Sequence, residues 1–314
     1  MPDKPLVSAV VVVGECRNRS QKALDALTSQ TLIGRMEVVV VDLAGEGYHD
    51  LTFPEGSPVV YIRKSPAVHW QDGRILGFQA SRADIVAFSE EHAYPEPGWA
   101  EAILEAHRAG DWPIVGYAIL NANPGSYWSR CGLMADYGRF TLPMRSGVKD
   151  STSGNNIAFK RGFLIDMMRE FGTYPFPDFI LQERCAQKGI PMYVSAEAVT
   201  KHENFEGMRA FLMANFYYCH IMAGNRARFG GWSSGRRLLY CLATPWVATP
   251  LKTWRLADAL KGRTGLFREF ILTLPVTIIT YIVSSLGESL GYVHQIADAE
   301  KTFTRWEMNT PRKR

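Results

Sequence analysis

Residues 84–99 read DIVAFSEEHAYPEPGW. The apolar run Ile85, Val86, Ala87 and Phe88 has the length and composition of a buried strand, and it breaks at once into Ser89, Glu90, Glu91 and His92 before a proline-rich turn. Three ionisable side chains therefore follow directly on a strand. In open α/β sheets ligands bind in the crevice outside the carboxyl ends of the strands. Carboxylate and imidazole together suit a divalent cation, and a divalent cation suits a phosphate-bearing substrate. The same residues would also make an ordinary solvated acidic turn.

Upstream, Val7 to Val13 is a β-branched run, Gln21 to Gln30 carries apolar residues at helical spacing, and Met36 to Val41 is almost pure valine ending at Asp42. Strand, helix and strand in that order predict a βαβ unit with parallel pairing and a right-handed crossover. The first turn, VVGECRNRS, holds a single glycine where a dinucleotide fingerprint needs three, which argues against nicotinamide and flavin cofactors. Val59 to Ile62 reads as a further strand, and Asp72 to Ser81 as a helix with Arg74 near its start. Glu101 to Ala109 reads as a helix after the PEPGW turn.

Downstream, Ile114 to Leu120 is strand-like, and Asn121 to Gly147 reads as an irregular aromatic segment of the kind that walls a pocket. In SGNNIAFKRGFL (153–164) the residues Gly154, Asn155 and Asn156 precede an apolar strand. Asp178 stands at the start of a helix closed by Lys188 and Gly189, and a short strand, Met192 to Val194, leads toward His202.

Taken in order, these segments resemble the family 2 glycosyltransferases of the GT-A fold over about residues 6–204. The opening VSAVVVV, Gln30 with Thr31, and VVVVD ending at Asp42 are similar to that family's first βαβ unit. GRILGFQASRADIVAF is similar to its ARNxGxxxAxGxxIxFLD segment, with Arg74 on the arginine. SEEHAYPEPGW falls on the DxD stretch, with Glu90 and His92 at the two aspartate positions. SGNNIAFKR is similar to GxNxAFRR, Asp178 takes the second place of the Glu-Asp pair, whose first place is Pro177 here, and His202 falls on the histidine after the last core strand.

The resemblance implies an α/β nucleotide-diphospho-sugar transferase fold, a Rossmann-like mixed sheet flanked by helices. It also implies an inverting transfer of a sugar from a nucleotide diphosphate, UDP or GDP, to an acceptor. Asp178 is then the general base, and Glu90, His92 and His202 hold a Mg²⁺ or Mn²⁺ ion. Asp42, Arg74, Glu90 and Glu91 face the donor, while Asn155 and Asn156 read sugar hydroxyls of the acceptor. With the DxD altered and Pro177 in place of the glutamate, a catalytically silent scaffold of the same fold, binding a nucleotide sugar or a partner enzyme, is the alternative expectation.

The chain has 314 residues, 46% of them hydrophobic, with a net charge of +4. That is enough for a large core and too little charge to suggest nucleic acid as a partner. Cys16, Cys131, Cys185, Cys219 and Cys241 have neither zinc-ligand spacing nor an even number for a disulfide framework, so a reducing compartment is expected. The first apolar run is short and lacks a small-residue cleavage site behind it, so it reads as a strand and not as a signal peptide.

Composition shifts after Asn204. Residues 1–204 are expected to form the catalytic domain, and residues 205–314 a helical, basic and apolar region. LLYCLATPWVATPL (238–251) and FILTLPVTIITYIVSSL (270–286) are uncharged, contain proline and are shorter than the roughly 20 residues a span needs. Between them lie Lys252, Arg255, Lys261, Arg263 and Arg268. A spanning hairpin would put this basic loop on the far side from a cytosolic catalytic domain, against the positive-inside tendency. Peripheral or monotopic attachment to the cytoplasmic face of the membrane is therefore expected. Its partners would be anionic headgroups and a lipid or lipid-linked acceptor. Packing of these helices on the core or on a second copy of the chain, in a homo-oligomer, is the soluble alternative.

Overall fold

A computed structural model describes residues 4–64, 70–172 and 179–312 of the chain. Asp178 and Pro177 lie outside the described residues. The chain divides into two compact units, one built from residues 1–120 and 144–202, the other from 121–143 and 203–314. The sequence reading puts the boundary at residue 204 and assigns the stretch 121–143 to the first domain. The contacts group that stretch with the second unit instead.

The first unit is an α/β layer structure. Its strands are β1 (Val7–Val13), β2 (Met36–Asp42), β3 (Val59–Arg63), β4 (Ile85–Glu90), β5 (Ala93–Pro95), β6 (Ile114–Asn121), β7 (Gly147–Lys149), β8 (Ile157–Lys160) and β9 (Met192–His202). They form one mixed sheet in the order β3-β2-β1-β4-β8-β6-β9-β5, with β7 also on β9. Pairing is parallel from β3 through β4 and antiparallel at β4–β8, β6–β8, β5–β9 and β7–β9. Every residue of β1 and β2 is buried. That is why these strands read as unbroken valine runs and not as alternating patterns.

Helices α1 (Arg17–Thr28), α2 (Trp70–Ala80), α3 (Trp99–Ala109), α5 (Arg161–Phe171) and α6 (Phe179–Lys188) accompany the sheet. Helix α2 lies close on β1 because it carries two glycines there. A Cβ at Gly73 would meet Val12 Cγ1 at 2.9 Å, and one at Gly77 would strike Val10. The core between sheet and helices includes Val10, Val39, Phe78, Phe88, Ile157, Phe159, Leu164 and Leu181.

The second unit is helical: α4 (Tyr127–Tyr137), α7 (Met208–Phe229), α8 (Ser234–Ala259), α9 (Thr264–Val293) and α10 (Ala299–Met308). Helix α4 corrects the irregular reading of 121–147. Ser126 caps it by accepting from Ser129 N, and Cys131 and Met134 recur on its buried side. The two apolar runs are likewise longer than they read. Helix α8 continues through Pro245 and Pro250, and α9 through Pro275. Glycine again sets the packing, since a Cβ at Gly291 would lie 3.0 Å from Ala223 Cβ on α7.

Helix α9 is long and apolar enough to cross a membrane, and half of its most apolar window is buried inside the protein. Its outer face is apolar from Ile271 through Leu272, Ile279, Ile282 and Leu286 to Val293. Helix α8 exposes Leu238, Leu239, Leu242, Trp246, Val247 and Trp254, with Trp246 at 80%. Charge is kept inside, where the Glu288 carboxylate accepts from Arg226 and from Tyr292 Oη at 2.9 Å each and pairs with Lys252 at 3.4 Å.

Candidate metal centre

Strand register builds the site. β4 pairs antiparallel with β8, with Phe88 opposite Ile157, so the turn that precedes β8 delivers Asn155 and Asn156 beside Glu90. Three residues beyond Glu90 β5 begins, and its Ala93 pairs with His202 at the end of β9. Glu90 and His92 thereby meet His202 from the far end of the sheet-forming chain: their ligand atoms lie within 4.8 Å of one another. The Glu90 Oε2 atom is 3.7 Å from His92 Nε2 and 3.5 Å from His202 Nε2. The two imidazoles meet edge to face, with ring centres 4.7 Å apart. Both histidines are buried, while Glu90 keeps partial exposure.

Glu90 is held by its neighbours. Asn155 Nδ2 donates to Oε1 at 2.9 Å, and Asn156 Nδ2 donates to Oε2 at 2.5 Å. Asn156 Oδ1 in turn accepts from the Glu90 backbone N–H at 3.3 Å. The amides expected to read sugar hydroxyls are thus directed at the carboxylate.

The remaining expected site residues are engaged elsewhere in the same unit. Glu91 is 2% exposed, and its carboxylate accepts from Gly14 N and Ser20 Oγ, each at 2.7 Å, and from Arg19 Nε at 2.9 Å. It fastens the charged turn to the first βα turn. Asp42 is fully buried and takes a two-pronged hydrogen bond from Arg17 at 2.9 and 2.8 Å, with Tyr61 Oη and Ala44 N as further donors. Burial alone would raise its pKa. The bonds from Arg17, Tyr61 and Ala44 outweigh that and hold Asp42 below the usual carboxylate range. In this arrangement Asp42 turns no oxygen to solvent, and its carboxylate is paired with Arg17.

Arg74 is buried with its guanidinium 4.2 Å from the centre of the Phe88 ring and 5.5 Å from that of Trp70. Arg17 and Arg19, which organise both internal carboxylates, were not singled out from the sequence. Their signal is the RNR run at 17–19 directly behind the first strand, a place where cations meet the carboxylates at neighbouring strand ends.

The donor set fits a divalent metal. The Glu90 oxygen lies from each imidazole nitrogen at a separation a little above the roughly 3.4 Å expected between ligands of a tetrahedral ion at about 2.1 Å, and the three ligand atoms lie within 4.8 Å of one another. Bound there, a cation would be held by three protein ligands, the number that catalytic zinc sites use.

No protein-family model matches the chain, and no curated protein matches it.

Proposed function

We propose that the chain is an inverting glycosyltransferase of the GT-A fold, moving a sugar from a UDP- or GDP-linked donor to a lipid or lipid-linked acceptor at a membrane. The observation that carries this reading is the Glu90, His92 and His202 cluster. It sits at the carboxyl end of β4, beside parallel β1, in a mixed sheet of the order described above. A cation held by these residues would supply neutralisation of the departing diphosphate. Asn155 and Asn156 keep the Glu90 carboxylate in place, and Glu91 ties its turn to the first βα turn.

Transfer is a single displacement. The acceptor hydroxyl oxygen bonds to the anomeric carbon as the bond to the diphosphate breaks, and the hydroxyl proton passes to Asp178. No enzyme nucleophile is needed. The exposed apolar faces of α8 and α9, flanked by Arg236 and Arg237 at one end and Arg255, Lys261 and Arg268 at the other, suit a helical pair lying in the headgroup boundary.

The test is a panel of radiolabelled nucleotide sugars incubated with the protein and a lipid extract. Transfer of label to lipid is expected with one donor, and Asp178→Asn should reduce it by about 10²-fold to 10⁴-fold. Absence of transfer, together with absence of any thermal shift from UDP or GDP, would reject the reading. A silent scaffold of the same fold is the second reading, favoured by one observation. Asp42 and Glu91, two of the carboxylates expected at the donor, are sealed by Arg17 and Arg19.

A further inference from the structure

The centre differs from an all-oxygen magnesium site in its atoms. Two of its three ligand atoms are imidazole nitrogens, and the single carboxylate is already committed to two amide donors. Mg²⁺ demands oxygen ligands in near-ideal octahedral array and gives up its waters reluctantly, whereas imidazole favours the first-row transition ions. We infer that this centre selects a divalent transition ion of the Mn²⁺ to Zn²⁺ series against Mg²⁺, and that Asn155 and Asn156 are the positioning residues that aim Glu90 at it. The inference deepens the reading above and rests on its assignment of Glu90, His92 and His202 as metal ligands, though not on sugar transfer.

The chemistry of Asn156 fixes its orientation. A backbone N–H can only donate, so the Asn156 atom that faces Glu90 N is the carbonyl oxygen, and the amide nitrogen is left to face the carboxylate. Asn156 is fully buried, so this arrangement does not exchange with solvent. Asn155 restrains the other carboxylate oxygen. Oε2, the oxygen near both imidazoles, is thereby presented as the ligand atom, and Oε1 is drawn away toward Asn155. Outer partners of this type are worth about 10-fold to 100-fold in metal affinity.

The site is tested with metals alone. Co²⁺ titrated into the full-length protein should bind with the visible absorption of a nitrogen-ligated ion. Mn²⁺, the weaker binder of the two at nitrogen ligands, should displace it when in excess, and Mg²⁺ at about a hundredfold that Mn²⁺ concentration should not. His202→Gln should weaken Co²⁺ binding and shift its absorption. Asn155→Ala removes no ligand and alters a partly exposed residue, so it should stay folded by thermal melt and weaken Co²⁺ by about 10-fold to 100-fold.

Displacement by Mg²⁺ at the Mn²⁺ concentration would overturn the inference. So would Co²⁺ affinity unchanged in both variants, or no Co²⁺ binding at all. Selectivity for Co²⁺ and Mn²⁺ in a protein that transfers no sugar would reject the transferase reading and leave the metal assignment standing. Transfer supported equally by Mg²⁺ would do the reverse.

Discussion

Asn156 grips Glu90 on two sides, its amide nitrogen on the side-chain Oε2 at 2.5 Å and its carbonyl oxygen on the backbone N–H at 3.3 Å. The turn before β8 is in this way locked to the last residue of β4. Removing the amide deprives a largely buried carboxylate and a backbone N–H of partners at once. Asn156→Ala should therefore lower stability by about 1–3 kcal/mol. The measurement is a urea melt, with a lower midpoint at unchanged slope. An unmoved midpoint would mean that Glu90 finds equivalent donors without Asn156.

The Arg17–Asp42 pair is buried on both sides, with side-chain exposures of 2% and 0%. Removing one partner leaves an uncompensated charge, so Arg17→Met should cost about 3–5 kcal/mol at neutral pH. The pH dependence follows from the sign of the shift. Asp42 is held below its unfolded value, so the pair's contribution is present above the ordinary carboxylate pKa and is lost as pH falls through the folded one. The gap between wild type and Arg17→Met should accordingly be widest near pH 7 and close as the medium is acidified. A gap that is constant with pH would place the loss in packing and not in charge.

His107 on α3 is 6% exposed and donates from Nδ1 to the Trp112 carbonyl oxygen at 3.1 Å. Burial pushes its pKa down from 6.5 to about 4, against the smaller opposing pull of that carbonyl. Between these values the unfolded chain takes up a proton that the folded chain refuses. Stability is thus unaffected above pH 6.5 and falls below it, by up to about 1.4 kcal/mol per pH unit. Urea midpoints at pH 7, 6 and 5 should show this slope, and His107→Gln should flatten it. An equal slope in the variant would assign the acid sensitivity to other groups.

Membrane attachment is tested on the outer face of α8. Burying a large apolar side chain is worth about 1.5–3 kcal/mol. Trp246→Glu and Leu242→Glu should each reduce co-sedimentation with anionic vesicles by at least about tenfold, the factor corresponding to 1.4 kcal/mol. Raised salt should release part of the wild-type protein, since the basic residues act through a screened attraction. Labelling of a cysteine at Arg263→Cys by an impermeant reagent from the far side would show instead that the loop has crossed.

Most of the sheet was legible because burial on both faces writes itself into composition: β1 and β2 are valine runs, and β4 ends where its apolar run meets charge. The meeting of His202 with Glu90 was not legible from pattern. It depends on β5, a three-residue strand ending in proline, and on β9 running eight residues past the short Met192 to Val194 reading. Helix α4 was hidden because its buried side alternates Cys131 and Met134 with Ser129 and Gly132, so the apolar periodicity was weak. The work of Arg17 and Arg19 was invisible for another reason. A basic run looks the same in sequence whether it faces solvent or a buried carboxylate.

Helix α4 belongs to a unit whose other helices lie 70 or more residues later in the chain. Its partners include Phe270 against Met134, and Tyr281, whose hydroxyl donates to the Ala135 carbonyl oxygen at 3.0 Å. On a ribosome adding about 5–20 residues per second, α4 emerges on the order of ten seconds before α9 is complete. For that interval its apolar side is uncovered, and a chain cut after residue 204 would leave it so permanently. Shortened versions ending there should therefore aggregate unless residues 121–143 are replaced by a polar linker, and interrupted synthesis should be especially hazardous between residues 137 and 293.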